Sequence, residues 1–320
     1  MVSGNSVLGA AHIDTTPEHI PAVAVPKPPS FILTTSCPDT TGVVAAVAGF
    51  LAAHNCLITE AQHYDDPYTV TSFMRAVFHD NGHGNDQGND RSAPSIADLD
   101  REFARTVGAE FKMAWRFHPV QRKCRAVIAV SRHGHCLNSM LHRWSTGTLP
   151  IEVVAVVSNH QDLRSLTEWH GIPFHYLPVI DGRTAEQEKR IVDSFEKLDG
   201  ELLVLARYMQ ILTADACRYF AERAINIHHS FLPGFKGAKA YHQAHARGVK
   251  LIGATAHYVT TDLDEGPIIE QEVARVDHTM APEELVSIGS DLESVVLNRA
   301  VKWHAERRVF VNGGKTVVLR

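Results

Sequence analysis

Between Ala224 and Gln271 the chain carries an amide, an imidazole and a carboxylate at spacings that suit carbonyl chemistry. Ala224 to His228 alternates as a strand would, placing Asn226 and His228 on one face and Ile225 and Ile227 on the other. Asp264 follows 38 residues after Asn226, in the loop Thr260 to Gly266 behind a second apolar run, Leu251 to Val259. A helix-containing crossover between the two runs would bring the carboxylate beside the pair. Attack on an amide-like carbonyl creates a tetrahedral oxyanion and must end with a protonated amine leaving. A carboxamide N–H stabilises such an oxyanion without changing its own charge, an effect worth several kcal/mol in a dry, preorganised site. An imidazole takes or gives a proton near neutral pH, and an ionised carboxylate beside it favours imidazolium and fixes its orientation. Which of His228 and Asp264 would take the proton from water stays open.

Other chemistry competes for the same residues. His229, His242, His245 and His257 crowd the segment, and His242 with His245 would share a helix face as metal ligands do. The segment has no His-Glu-x-x-His and no paired cysteine, so no metal is expected. An Asn-x-His pair at a strand end also serves as a plain hydrogen-bonded structural pair. The five cysteines, Cys37, Cys56, Cys124, Cys136 and Cys217, are scattered and odd in number, which reads as reduced packing residues. Nothing local marks Cys136 as an activated thiolate.

Positioning such a trio takes a rigid scaffold, and 320 residues, 44% hydrophobic and 21% charged, have room for two globular domains. A net charge of −5 offers no basic field for nucleic acid. No apolar run is long enough to span a bilayer and the polar opening lacks an export signal, so a cytoplasmic location is expected. Residues 1–30, with Pro17, Pro21, Pro26, Pro28 and Pro29, read as an extended tail. Residues 31–118 read as βαββαβ: strands Phe31 to Ser36, Leu57 to His63, Thr69 to Phe78 and Phe111 to Phe117, helices Val43 to Ala53 and Ile96 to Val107. A Gly- and Asp-rich stretch, Asn81 to Asp90, reads as a loop insertion.

After a linker at 119–123, residues 124–320 alternate strand and helix. The expected strands are Arg125 to Ser131, Ile151 to Ser158, Phe174 to Leu177, Glu201 to Ala206, Ala224 to His228 and Leu251 to Val259. Helices are expected at Asn138 to Trp144, Leu163 to His170, Thr184 to Leu198, Ala214 to Arg223 and Pro282 to Arg307, with a closing hairpin about Asn312-Gly313-Gly314. Near-continuous Val, Ile and Leu strands between helices predict a doubly wound, mostly parallel α/β sheet, in which ligands sit beyond the carboxyl ends of strands.

The segment Asn-Ile-His-x-Ser-x-Leu-Pro at Asn226, followed by Leu-Asp-x-Gly-Pro at Leu263, resembles the catalytic core of the 10-formyltetrahydrofolate-using formyltransferases from about Arg125 to Trp303. The resemblance implies Asn226, His228 and Asp264 as the catalytic trio and His257 as a further histidine at the site. It also implies folate contacts from Leu205, Met209, Gln210 and Leu212, with Thr261 and Asp262 in the Asp264 loop. Gln210 stands where related formyltransferases often carry Arg, so no ionic contact is implied there.

The βαββαβ order with Asp39-x-x-Gly42 between the first strand and helix resembles the ferredoxin-like ACT domain, while Asp-x-x-Gly also serves as a plain N-cap. An ACT-like domain before the core, with the His-Cys-Leu-Asn loop at His135, resembles the formyltetrahydrofolate deformylases from about residue 31 onward. That family resemblance implies hydrolysis of 10-formyltetrahydrofolate by water with no cofactor. It further implies a homo-oligomer and control by glycine or methionine near Asp39 and Gly42. Purine-pathway formyltransferases carry a Gly-rich phosphate loop after the first core strand, whereas here Ser131 to Asn138 holds one glycine among His133, His135 and Cys136. The transfer-RNA formyltransferases add a basic C-terminal domain, and this sequence ends soon after the core. The alternatives are an amine-acceptor formyltransferase and a non-catalytic folate or amino-acid sensor.

Overall fold

The computed structural model describes residues 1, 29–81, 95–180, 182–234 and 240–320. The expected extended tail and the loop insertion after Asn81 lie almost wholly outside the described residues. The first unit comprises β1 (Ser30–Pro38), α1 (Val43–Ala53), β2 (Cys56–Asp66), β3 (Thr71–Asp80), α2 (Ile96–Arg105), α3 (Val107–Glu110) and β4 (Ala114–Pro119). Its sheet runs β2-β3-β1-β4, every pair antiparallel. Leu33, Phe78, Val47, Leu51 and Phe103 close one core between sheet and helices. Two local expectations are corrected. The helix expected from Ile96 to Val107 breaks at Thr106, whose φ of −112° and ψ of −101° are not helical. No side chain caps α1, which begins at Gly42 with φ 97°.

The second unit comprises β5 (Cys124–Val130), α4 (His135–Ser145), β6 (Ile151–Ser158), α5 (Arg164–Trp169), β7 (Phe174–Tyr176), α6 (Thr184–Lys197), β8 (Leu202–Leu205), α7 (Ala214–Tyr219), β9 (Ala224–His228), α8 (Ala240–Ala246), β10 (Leu251–Tyr258), β11 (Ile268–Arg275), α9 (Pro282–Ala305), β12 (Val309–Asn312) and β13 (Lys315–Val318). Seven strands form one sheet in the order β11-β10-β9-β8-β5-β6-β7. The five from β9 to β7 are parallel. Cores on both faces of the sheet explain their apolar composition, with Ile128 and Val204 packing on one side and Val127 and Leu203 on the other.

β10 departs from the parallel pattern. The β9 to β10 connection contains α8, yet β10 returns antiparallel, pairing Thr255 with His228 and Tyr258 with Ile225. The loop bearing Asp264 therefore leaves the sheet beside Ala224, where the Val259 N–H meets the Ala224 carbonyl at 3.0 Å, and must fold back to reach His228. β11 was not expected either, because Glu270, Gln271 and Glu272 interrupt any apolar alternation. It pairs antiparallel with β10 at the sheet edge.

The end of α9 and the β12–β13 hairpin lean on the first unit. Arg308 pairs with Glu60 at 2.9 Å, Lys315 with buried Asp66 at 2.7 Å, and Arg75 Nε donates to the Glu306 carbonyl at 2.9 Å. Near this junction His304 Nδ1 lies 2.7 Å from Tyr258 Oη, and burial followed by the charge of Arg307 pushes the imidazole down to about 3. His118 and His229 are each pushed down to about 4, chiefly by burial. Between the unfolded value near 6.5 and these folded values, the unfolded chain binds protons that the native state refuses, so stability falls as pH drops through that window. Thermal unfolding at pH 5 should show a loss of about 1 kcal/mol or more from His304, discounted for its partial access to a neighbouring cavity. A His304→Gln variant should show a shallower pH dependence than the parent chain.

Candidate active site

Asn226 and His228, two residues apart on β9, line the same pocket of about 290 Å³. β10 sets His257 opposite Asn226 in register. His257 Nδ1 lies 2.8 Å from the Tyr258 carbonyl, which only accepts, so Nδ1 carries the proton and Nε2 accepts from Asn226 Nδ2 at 3.2 Å. Burial pushes the His257 imidazole below its usual value, in keeping with a neutral ring.

His228 Nδ1 meets Asp264 Oδ1 at 3.2 Å, with the two side chains 5% and 7% exposed. Burial alone would raise the Asp264 carboxyl. The hydrogen bond and charge of His228, with His257 and His229 behind them, outweigh it and hold the carboxyl below the ordinary carboxylate range. The backbone that delivers this carboxylate is tightly folded: Asp264 has φ 59°, a left-handed conformation that Asp tolerates better than most residues. Two residues on, Gly266 passes so close to β10 that a Cβ there would fall 1.7 Å from the Tyr258 carbonyl oxygen and 3.1 Å from His257 Nδ1. Gly266→Ala is therefore expected to displace the Asp264 loop and lower kcat about 100-fold, while far-ultraviolet circular dichroism stays that of the parent. Parent-like turnover in that variant would mean the loop tolerates the shift.

Leu205, Met209, Gln210, Leu212, His257, Thr261 and Asp262 line the pocket with Asn226, His228 and Asp264. The structure thus brings together every residue the sequence placed at the reacting centre or the folate contact. It adds Arg207, Ile211, Val259 and Leu263 among others, and it brings in His229, which the sequence suggested only as one of several crowded histidines. Met209, Ile211 and Leu263 are 47%, 68% and 53% exposed, an apolar rim open to a ligand. Asp39 and Gly42 sit exposed at the β1–α1 turn and do not line this pocket.

Among the described residues one cluster has metal-ligating groups close together: His135, Cys136 and Glu293, whose ligand atoms lie within 4.8 Å of one another. Its carboxylate already has protein partners, with His135 at 2.7 Å, Tyr241 Oη donating at 3.0 Å and Arg207 Nε at 3.3 Å. Burial pushes the Cys136 thiol far up, away from the thiolate a metal requires. His242 and His245 lie exposed on α8.

The formyl transferase family model matches residues 124–301. A formyltetrahydrofolate deformylase of Corynebacterium sp. (strain P-1) is 47% identical over 289 residues, covering 90% of this chain and 98% of the relative. The chain belongs to the formyltetrahydrofolate deformylase family. A solved deformylase structure from Burkholderia mallei superimposes with a TM-score of 0.83 at 49% identity, covering 92% of this chain and all of that one (100%). The likeness extends beyond the deformylases. A glycinamide ribonucleotide transformylase from Symbiobacterium toebii matches with a TM-score of 0.59 at 28% identity, covering 62% of this chain and 95% of that chain.

Proposed function

We propose that the protein hydrolyses 10-formyltetrahydrofolate to formate and tetrahydrofolate, with Asn226, His228 and Asp264 around the formyl carbon. The observation that carries this reading is the buried His228–Asp264 pair set beside Asn226 in one pocket with an apolar rim. Asp264 holds the proton on Nδ1 of His228, so proton exchange with the reactants falls to Nε2. Water adds to the formyl carbon and passes a proton to the His228–Asp264 pair. The oxyanion accepts from Asn226 Nδ2, which has a second N–H beyond the one given to His257. Collapse breaks the C–N10 bond, N10 takes the proton from His228, and formate leaves. The step balances with water alone. Leu205, Met209, Gln210, Leu212, Thr261 and Asp262 would hold the folate.

In this reading residues 31–118 form an ACT-like regulatory unit, 119–123 a linker and 124–320 the catalytic unit, working in the cytoplasm as a homo-oligomer. No helix of the described residues is long and apolar enough to cross a membrane. Glycine or methionine would act through the turn at Asp39 and Gly42, which calorimetric titration with either amino acid would detect. The test of the activity itself is formate release from 10-formyltetrahydrofolate, with tetrahydrofolate measured alongside. Equal amounts of the two products are expected, and a chain that releases no formate overturns the reading.

A further inference from the structure

We infer that Arg207 reserves the formyl group for water by filling the place through which an acceptor amine would enter, an inference that rests on the hydrolase reading above. The question arises because a transformylase shares this catalytic domain. Something in the pocket must decide which nucleophile reaches the formyl carbon.

Arg207 stands two residues past Leu205, the last residue of β8, which lies in register with Asn226 on β9. Its φ is 63°, in the left-handed region that favours glycine, so a long charged side chain here is held against its backbone's preference. That side chain lines the catalytic pocket and is only 11% exposed. Its Nε lies 3.3 Å from Oε2 of Glu293 on α9, an ion pair that lacks hydrogen-bond geometry, and the Glu293 side chain is 1% exposed.

A second tier fixes Glu293. His135 from α4 lies 2.7 Å from its Oε2, and Tyr241 from α8 donates to its Oε1 at 3.0 Å. The Tyr241 ring reaches this point because residue 289 is glycine; a Cβ there would stand 2.0 Å from Tyr241 Cζ. Burial would raise the Glu293 carboxyl, but the His135 hydrogen bond and the Arg207 charge outweigh it and keep the group low. His229, beside His228 and also in the pocket wall, is pushed down by burial and then by Arg207. Elements distant in sequence thus converge to hold one guanidinium in the pocket.

A buried ion pair is a poor device for stability alone, and glycine would suit this backbone better. The pocket explains its retention. Water needs no corridor, whereas an amine on a larger molecule must thread its chain through the wall to the carbon beside Asn226. Arg207 occupies that wall and its charge repels an incoming ammonium. With the side chain gone, an amine nitrogen would form the new C–N bond, its proton would pass by His228 to N10, and the C–N10 bond would break as it does with water.

The test follows the full-length chain acting on 10-formyltetrahydrofolate over a series of glycinamide concentrations, with formate and formylglycinamide both measured. The parent chain and Arg207→Lys are expected to yield formate at every concentration. Arg207→Gly should yield formylglycinamide at the expense of formate, raising the amide-to-formate ratio about tenfold or more. If the unpaired Glu293 prevents that variant from folding, Arg207→Gly with Glu293→Gln removes both charges and the same ratio is read. A folded glycine variant whose product stays formate at all glycinamide concentrations overturns the inference. Failure of the hydrolase reading would show separately, as a parent chain that releases no formate.

Discussion

A His228→Ala variant is expected to lose about 1000-fold or more in kcat, because the imidazole both accepts the proton of water and delivers one to N10. Asp264→Asn should cost a comparable amount. The amide can still meet His228 Nδ1, but it cannot stabilise the imidazolium that forms, and an N–H₂ turned toward Nδ1 would displace the acceptor. The two side chains act as one unit, so the double variant should be little worse than either single one. Single-turnover formate release measures this without interference from product dissociation. Additive losses would mean the two groups act in separate steps, and parent-like turnover in either variant would remove it from the mechanism. The low Asp264 carboxyl adds a sign: the carboxylate stays ionised down to pH values below the ordinary carboxylate range, so loss of activity between pH 7 and 5 would not come from Asp264.

The reach of sequence reading follows the range of the interactions involved. Asn226 and His228 were legible because a strand's two-residue period is local, and the strand's own composition states which face each residue takes. The βαββαβ order of the first unit was legible for the same reason. Asp264 was legible as a residue but its route was not. Whether β10 runs parallel or antiparallel to β9 depends on pairing across the sheet, and the helix between them suggested a crossover that the chain does not make. The helix α4 begins at His135, three positions before the expected start, because no Ser, Thr, Asp or Asn at its N-cap marks the beginning; Gly134 stands there. Arg207 could be placed near the folate segment, yet its left-handed backbone and its union with Glu293 arise only when β8 and α9 pack together.

Asn226→Ala should lower kcat about 100- to 1000-fold and leave KM nearly unchanged, since the carboxamide serves a charge that exists only in the transition state. The substitution has a second consequence that separates catalysis from folding. His257 Nε2, buried and accepting from Asn226 Nδ2, loses its donor, which should cost about 1–2 kcal/mol of stability. Thermal unfolding measures that loss independently of turnover. Asn226→Asp refines the comparison. It keeps the shape of the side chain but replaces the N–H donors with a carboxylate, which would repel the oxyanion and draw a proton onto His257. Its kcat should fall at least as far as that of the alanine variant, while protonated His257 restores part of the lost stability. If instead Asn226→Ala raised KM strongly and preserved kcat, the carboxamide would be binding the substrate's ground state, and the oxyanion would have to be stabilised from elsewhere in the pocket.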